Sequence, residues 1–236
     1  MENLNFENFV SIKGEFEAEG LTRDEVAAEA LFAARNGLNY LVKISGAEAK
    51  SDILYLERLG ISSIVCPMIE SKFAMKKYMD MLRVGVFQHI GVTIETISAI
   101  SNIDEIIEEG KLLTELTIGR TDLTASWGGD SVESSKTIEM VKVAARVGRT
   151  AGLKITMGGS VSSQTRELLE MDSELYDLID YVETRKAVIP VEAFLKQDSL
   201  ESALQLEATL LEKRKDSFQR IQSAINSRLT ALSARI

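Results

Sequence analysis

One pattern governs what this chain can fold into: short apolar runs alternate with amphipathic runs over most of its length. The clearest case lies mid-chain, where Val92-Thr93-Ile94 leads into Glu95 and Leu116-Thr117-Ile118-Gly119 leads into Arg120-Thr121-Asp122. Between them Ile97, Ile100, Ile103 and Ile107 recur at helical spacing, as one face of a helix requires. Strand, helix, strand is a βαβ unit, so its two strands should be parallel neighbours. Glu95 and Asp122 then share the C-terminal edge of one sheet, the edge where α/β proteins place their chemistry. Two hard oxygen ligands there suit Mg²⁺ or Mn²⁺, with water and substrate completing the shell. The plain alternative is a pair of solvated loop acids. Two features weigh against it: Glu95 directly follows a β-branched run, and Asp122 is held between a glycine turn and Leu123.

The same alternation runs through the rest of the chain. Strands are expected near residues 13, 42, 65, 92, 117, 155 and 182, with helices between them. The helix from Thr22 to Asn36 opens on a Thr22/Glu25 capping box and stops at Asn36-Gly37, both strong boundary signals. Ser62 to Ile69 is nearly all apolar, as a strand covered on both faces must be. Such a count fits a doubly wound sheet and a (β/α) barrel equally, and periodicity does not choose between them. Beyond Asp198 the character changes. Ser199 to Ile236 has no proline or glycine, and Leu204, Leu211, Phe218, Ile221, Ile225, Leu229, Leu232 and Ile236 follow at spacings of three, four and seven. That is a long amphipathic helical arm, which must bury its stripe on the body or on a second copy. Two units are therefore expected: residues 1–197 as the α/β body and 198–236 as an oligomerisation arm.

Composition narrows the function. A net charge of −9 and a pI near 4.9 argue against nucleic acid or an anionic membrane as the main partner. No run approaches the length of a membrane span, and the N-terminus lacks the marks of a signal peptide. The single cysteine, Cys66, fits a reducing compartment and reads as a core residue inside Ile64-Val65-Cys66-Pro67. A cytoplasmic location is the expectation. The one histidine, His89, would have to serve any His-based triad or zinc site; its setting, Val86-Phe87-Gln88-His89-Ile90, reads as structural.

Several segments carry a resemblance. Val92-Thr93-Ile94-Glu95-Thr96, followed by Ile118-Gly119-Arg120-Thr121-Asp122-Leu123, resembles the HpcH/HpaI aldolase and citrate lyase family, whose strands end in Glu-Thr and in Gly-Pro-x-Asp-Leu. Upstream, Val65-Cys66-Pro67-Met68-Ile69-Glu70 resembles its Val-Pro-Met strand and Lys13-Gly14-Glu15-Phe16 its Asp-x-Glu-His strand end. The similarity spans roughly residues 12–185 and leaves out the arm.

The resemblance implies a modified TIM-type (β/α) barrel, a divalent metal (Mg²⁺ or Mn²⁺) held by Glu95 and Asp122, and a small 2-oxo acid such as pyruvate. The implied reaction makes or cleaves a carbon–carbon bond through a metal-stabilised enolate. Backbone amides from Gly119 to Asp122, Thr121 among them, would cradle the substrate carboxylate, Arg120 would add a cation beside it, and Glu70 faces the same edge, as a substrate contact or a solvated acid. Three departures stand out. Lys43 occupies the family's arginine position and keeps the charge without the planar fork. Phe16 occupies the family's histidine position, so Glu15, Glu17 or a metal-bound water would have to move protons, while Lys43 is a candidate for a Schiff base. Seven strands are legible where the family barrel has eight; the missing pair falls ahead of Ser11, so the barrel is expected to be incomplete or closed by another segment. Two other readings stay open: a diverged barrel that binds metal and oxo acid without turnover, and a CoA-ester lyase or condensing enzyme, for which no clear basic cluster is present.

Overall fold

A computed structural model describes residues 6–196, 198–233 and 235. All seven expected strands form. They are β1 (Ser11–Glu15), β2 (Asn39–Lys43), β3 (Ser63–Cys66), β4 (His89–Ile94), β5 (Glu115–Gly119), β6 (Lys154–Gly158) and β7 (Tyr181–Glu183), each parallel to its neighbour in chain order. An eighth strand, β8 (Ala187–Pro190), completes a closed barrel.

The eighth strand does not lie ahead of Ser11, where no strand forms among the described residues. It follows β7 after the tight turn Thr184-Arg185-Lys186 and runs antiparallel to both neighbours, with Val182 opposite Ile189 and Ser11 opposite Val188. A three-residue turn can join only antiparallel strands, so the chain closes its barrel with a hairpin. Closure leaves no free sheet edge.

Helices pack around the barrel, and alternate residues of each strand face them. Ile12, Val42, Ile64, Val92, Ile118, Ile155 and Val182 are buried in this outer core. The helix Arg23–Arg35 starts as expected: the Thr22 hydroxyl accepts from the Glu25 amide and the Glu25 carboxylate accepts from the Thr22 amide. The run from Ile97 to Glu109 breaks at Asn102 into two short helices, Ile97–Ser101 and Ile103–Glu109. Among the described residues no helix is long and apolar enough to cross a membrane.

The C-terminal helix, Ser199–Ser233, changes role along its length. Leu200, Ala203, Leu206 and Leu210 are buried against the body. Arg214 anchors the end of this half, donating to Glu25 Oε1 at 2.7 Å and to the carbonyls of Glu19 and Gly20. Beyond Arg214 every described residue of the helix is exposed, including Phe218, Ile221, Ile225, Leu229 and Leu232. Ile236 lies outside the described residues.

Candidate active site

The strand residues that do not face the helices face the barrel lumen, and most of these are polar. Leu41, Val65, Val188 and Tyr181 form a small apolar cluster inside it. Around and above them Lys13, Glu15, Lys43, Thr93, Glu95, Thr117 and Glu183 line a cavity of about 550 Å³ that opens at the C-terminal edge of the barrel. Period-two alternation carries this face down the strands, so Gly91 and Glu115 lie deeper on the same side. A polar lumen is costly unless its groups are paired, and most of these are.

Glu95 directly follows β4 and is 3 % exposed. Its Oε1 accepts from the Met68 amide at 3.0 Å, and its Oε2 stands 3.8 Å from Lys43 Nζ. Burial pushes its carboxyl above the usual range and the nearby Asp122 adds to this, against the pull of Lys43 and the Met68 amide. Asp122 sits in the first turn of the short helix Arg120–Ser126, exposed at the lip of the same cavity. The close approach of β4 and β5 fixes Glu95 sideways: a Cβ on Gly119 would lie 2.8 Å from Glu95 Oε2.

Glu15 and Lys43 also line the cavity. Lys13 Nζ lies 2.6 Å from Glu15 Oε1 and also donates to Glu183 Oε1. Arg185 donates to Glu15 Oε2 at 3.2 Å. Burial raises the Glu15 carboxyl, but Lys13, with Lys43 and Arg185, outweighs burial and holds it below the ordinary range. Burial works against the Lys13 ammonium, yet Glu183 and Glu15 hold its pKa well above that of a free lysine.

The remaining expected residues divide. Gly119 and Thr121 line the cavity. Thr121 Oγ1 is 3.0 Å from Ser160 Oγ, and Gly159 takes φ +87° so that its Cα can press against the Thr121 amide. A Cβ there would stand 2.5 Å from that nitrogen, so only glycine fits. Arg120 and Glu70, in contrast, are not brought to the cavity. Arg120 is fully buried behind the Gly158-Gly159 turn, donating to the Gly158 and Gly159 carbonyls and to Thr165 Oγ1, with Glu133 3.3 Å away. Burial lowers its pKa, opposed by Glu133. Its planar fork clamps one loop to the next and is spent on protein acceptors. Glu70 accepts from the Thr96 hydroxyl at 2.6 Å, bracing the start of the helix after β4.

Phe16 packs edge-on against Tyr55, with ring centroids 6.4 Å apart, outside the cavity lining. His89 is exposed at the first residue of β4, at the barrel end opposite Glu95. Cys66 is buried, and burial pushes its thiol up to about 12. No motif marks Lys13 as a site residue, although its parity with Glu15 in Ser-Ile-Lys-Gly-Glu puts both on one face. Leu204 and Glu207 also line the cavity, so the first half of the C-terminal helix contributes to its wall.

The donor chemistry fits a divalent cation. Five carboxylates (Glu15, Glu95, Asp122, Glu183 and Glu207) and three cations (Lys13, Lys43 and Arg185) line the cavity, an excess of two negative charges. Among the described residues no group of three or more His, Cys, Asp or Glu side chains forms a ready cage. A cation here would rest on Glu95 and Asp122, with substrate and water supplying the rest, as Mg²⁺ sites commonly do.

Comparison with solved structures places the barrel. An HpcH/HpaI aldolase from Desulfitobacterium hafniense superposes with a TM-score of 0.61 at 16% identity, covering 73% of this chain and 75% of that one. The fold is that of the HpcH/HpaI aldolases. A protein of the HpcH/HpaI aldolase/citrate lyase family from Burkholderia cenocepacia gives a TM-score of 0.62 at 15% identity, covering 86% of this chain and 84% of that one. The citrate lyase beta subunit of M. tuberculosis, complexed with oxaloacetate and magnesium, gives 0.52 at 16% identity, covering 74% and 80%. No family model matches the sequence, and comparison with curated proteins gives no match.

Proposed function

We propose that this chain is a metal-dependent carbon–carbon lyase of the HpcH/HpaI aldolase type, acting on a small 2-oxo acid such as pyruvate. One observation carries the reading: Glu95 and Asp122, at the ends of neighbouring strands, line a single cavity whose charge leaves room for a divalent cation. The likeness in fold to a protein complexed with oxaloacetate and magnesium supports it.

Cleaving a bond next to a ketone leaves an enolate. Mg²⁺ or Mn²⁺, held by Glu95 and Asp122, would supply Lewis-acid stabilisation of that charge. The chain's own residues do the rest. The Met68 amide and Gly119 fix the Glu95 carboxylate. Lys43 sets a positive charge beside it, where electrostatic stabilisation of a developing oxyanion is worth most. The backbone around Thr121, held by Gly159 and Ser160, offers donors to a carboxylate.

Solvent deuterium exchange into the methyl group of pyruvate tests this. Exchange that requires Mg²⁺ or Mn²⁺ and is lost in Glu95→Gln supports the reading; no exchange with either metal counts against it. A second reading, a barrel that binds metal and oxo acid without turnover, draws on Phe16 standing where the family has histidine. Calorimetric binding of both ligands without exchange would select it.

The arm belongs to the proposal. Residues 215–236 hold four basic side chains (Lys215, Arg220, Arg228 and Arg235) against one acidic, Asp216, on a chain of net charge −9. A basic helix with an exposed apolar stripe is complementary to the acidic body of a second copy, and we propose a homo-oligomer built through this segment. We propose a cytoplasmic setting, since the single cysteine, Cys66, suits a reducing compartment.

A further inference from the structure

The proposed reaction joins pyruvate to an aldehyde, and the C-terminal helix sets an unpaired carboxylate, Glu207, in the wall of the cavity. We propose that Glu207 selects the aldehyde: it accepts hydrogen bonds from a hydroxyl-bearing acceptor and turns away one that carries a carboxylate. The inference rests on the lyase reading above and gives the class of its second substrate.

Topology sets Glu207 across the barrel from the proposed metal ligands. Glu95 and Asp122 follow β4 and β5. In a closed ring of eight strands in chain order, β8 and β1 stand opposite these two. The C-terminal helix packs on β8, and Arg214 ties it to the loop after β1 through the carbonyls of Glu19 and Gly20. Leu204 and Glu207, three residues apart on one face of that helix, line the same cavity as Glu95 and Asp122. The cavity, about 550 Å³, holds far more than pyruvate. Pyruvate at the β4–β5 wall leaves the β8–β1 side to the acceptor, with Leu204 against its carbon chain and Glu207 at its far end.

Charge decides what that side accepts. Each cation lining the cavity already faces a carboxylate: Lys13 stands between Glu15 and Glu183, Arg185 donates to Glu15, and Lys43 faces Glu95. Asp122 and Glu207 are the two lining carboxylates with no ion pair or hydrogen bond among the described residues. A divalent cation occupies Asp122 and leaves Glu207 over. That cation cancels the excess of two negative charges in the lining, and bound pyruvate returns the site to one negative charge. A second anion entering an enclosed site of that sign is repelled. Glu207 is half-buried, so salt screens it less than an open surface group. A hydroxyl arriving there meets free acceptor oxygens.

Arg185, nearly half exposed on the turn between β7 and β8, is the group that would favour an acid. It is already joined to Glu15 Oε2, so a carboxylate arriving there meets Glu15 and Glu207 as well. The covalent step needs no further reactant. The methyl carbon of pyruvate loses a proton and bonds to the aldehyde carbon, the aldehyde carbonyl pair moves onto its oxygen, and that oxygen takes a proton.

The test uses the full chain with Mn²⁺ and pyruvate. It compares kcat/KM for addition to glyceraldehyde, which is uncharged, with that for succinic semialdehyde, which carries a carboxylate. Wild type should favour glyceraldehyde at least tenfold. That ratio should fall at least fivefold in Glu207→Gln and invert in Glu207→Lys. A folding defect lowers both rates together and leaves the ratio alone. Wild type favouring glyceraldehyde by less than threefold overturns the inference, as does a ratio within twofold of wild type in both variants, or pyruvate exchange without addition to either aldehyde. Deuterium exchange separates this failure from that of the lyase reading: if wild type exchanges and the ratio does not move, only the acceptor assignment falls; if wild type exchanges nothing, both fall.

Discussion

Gly119 has no side chain because Glu95 occupies the space: a Cβ there would sit 2.8 Å from Glu95 Oε2 and 3.0 Å from Glu95 Cβ. The pairing of β4 with β5 sets this approach, with Thr93 opposite Thr117 and Ile94 opposite Ile118. Gly119→Ala should therefore push the Glu95 carboxylate off its line to the Met68 amide. Overpacking of this kind costs roughly 1–3 kcal/mol. We expect Mn²⁺ affinity to fall tenfold or more, with a drop of a few degrees in melting temperature. Calorimetry with Mn²⁺ checks it; unchanged affinity would mean that the position of Glu95 does not depend on this contact.

Arg120 separates scaffold from substrate contact. Its guanidinium is fully buried and donates to two carbonyls and the Thr165 hydroxyl beside Glu133. Arg120→Met removes those donors and leaves Glu133 and the loop carbonyls without them. Breaking a buried charge pair in this way costs about 3–5 kcal/mol. Thermal unfolding should show that loss. Pyruvate affinity, measured below the lowered melting temperature, should stay within a few-fold of wild type. A large loss of affinity with unchanged stability would return Arg120 to the substrate site.

Seven strands were legible because each is an apolar run closed by a turn signal. β8 was not: its four residues follow β7 after only Thr184-Arg185-Lys186 and read as a continuation of it. Closure itself depends on Ser11 meeting Val188, a pairing between chain positions that no local pattern encodes. Glu95 and Asp122 could be placed on one edge because the two strands of a βαβ unit run parallel. Arg120 could not be oriented, since its partners Gly158, Gly159 and Thr165 lie 38 to 45 residues away. The role of Lys13 is not legible locally, because a lysine in an alternating strand ordinarily faces water and only closure of the barrel turns that face inward.

Glu115 gives the fold a pH dependence. It starts β5 on the lumen side, with Oε1 buried and without a partner. Burial, with some repulsion from Glu183, pushes its carboxyl up to about 7 from an ordinary 4.5. Between those values the folded chain keeps a proton that the unfolded chain has released. Stability from this group is therefore full below pH 4.5 and is lost as pH rises through 7. Glu115→Gln should remove the loss, stabilising the protein on the order of 3 kcal/mol at pH 8 and little at pH 5. Chemical denaturation at the two pH values checks it; an equal effect at both would mean that the carboxyl does not titrate in this window.

The C-terminal helix should divide at Arg214. Its first half is part of the barrel: Leu200, Ala203, Leu206 and Leu210 are buried, and Leu204 and Glu207 line the cavity. Burying a leucine side chain is worth about 1.5–3 kcal/mol, so ending the chain at Asp198 should leave a body that folds poorly. Ending it at Lys215 removes nothing buried among the described residues. Phe218, Ile225 and Leu232, which extend the seven-residue spacing of Leu204 and Leu211, are each 42–54 % exposed. A stripe of that period suits a helix partner or a groove on another copy. The shortened chain should melt within a few degrees of the full one and keep any pyruvate exchange, while light scattering should show fewer subunits per particle. The double variant Phe218→Glu, Ile225→Glu should do the same without shortening the helix. If the full chain and both variants scatter as the same particle, the stripe does not join copies of this protein.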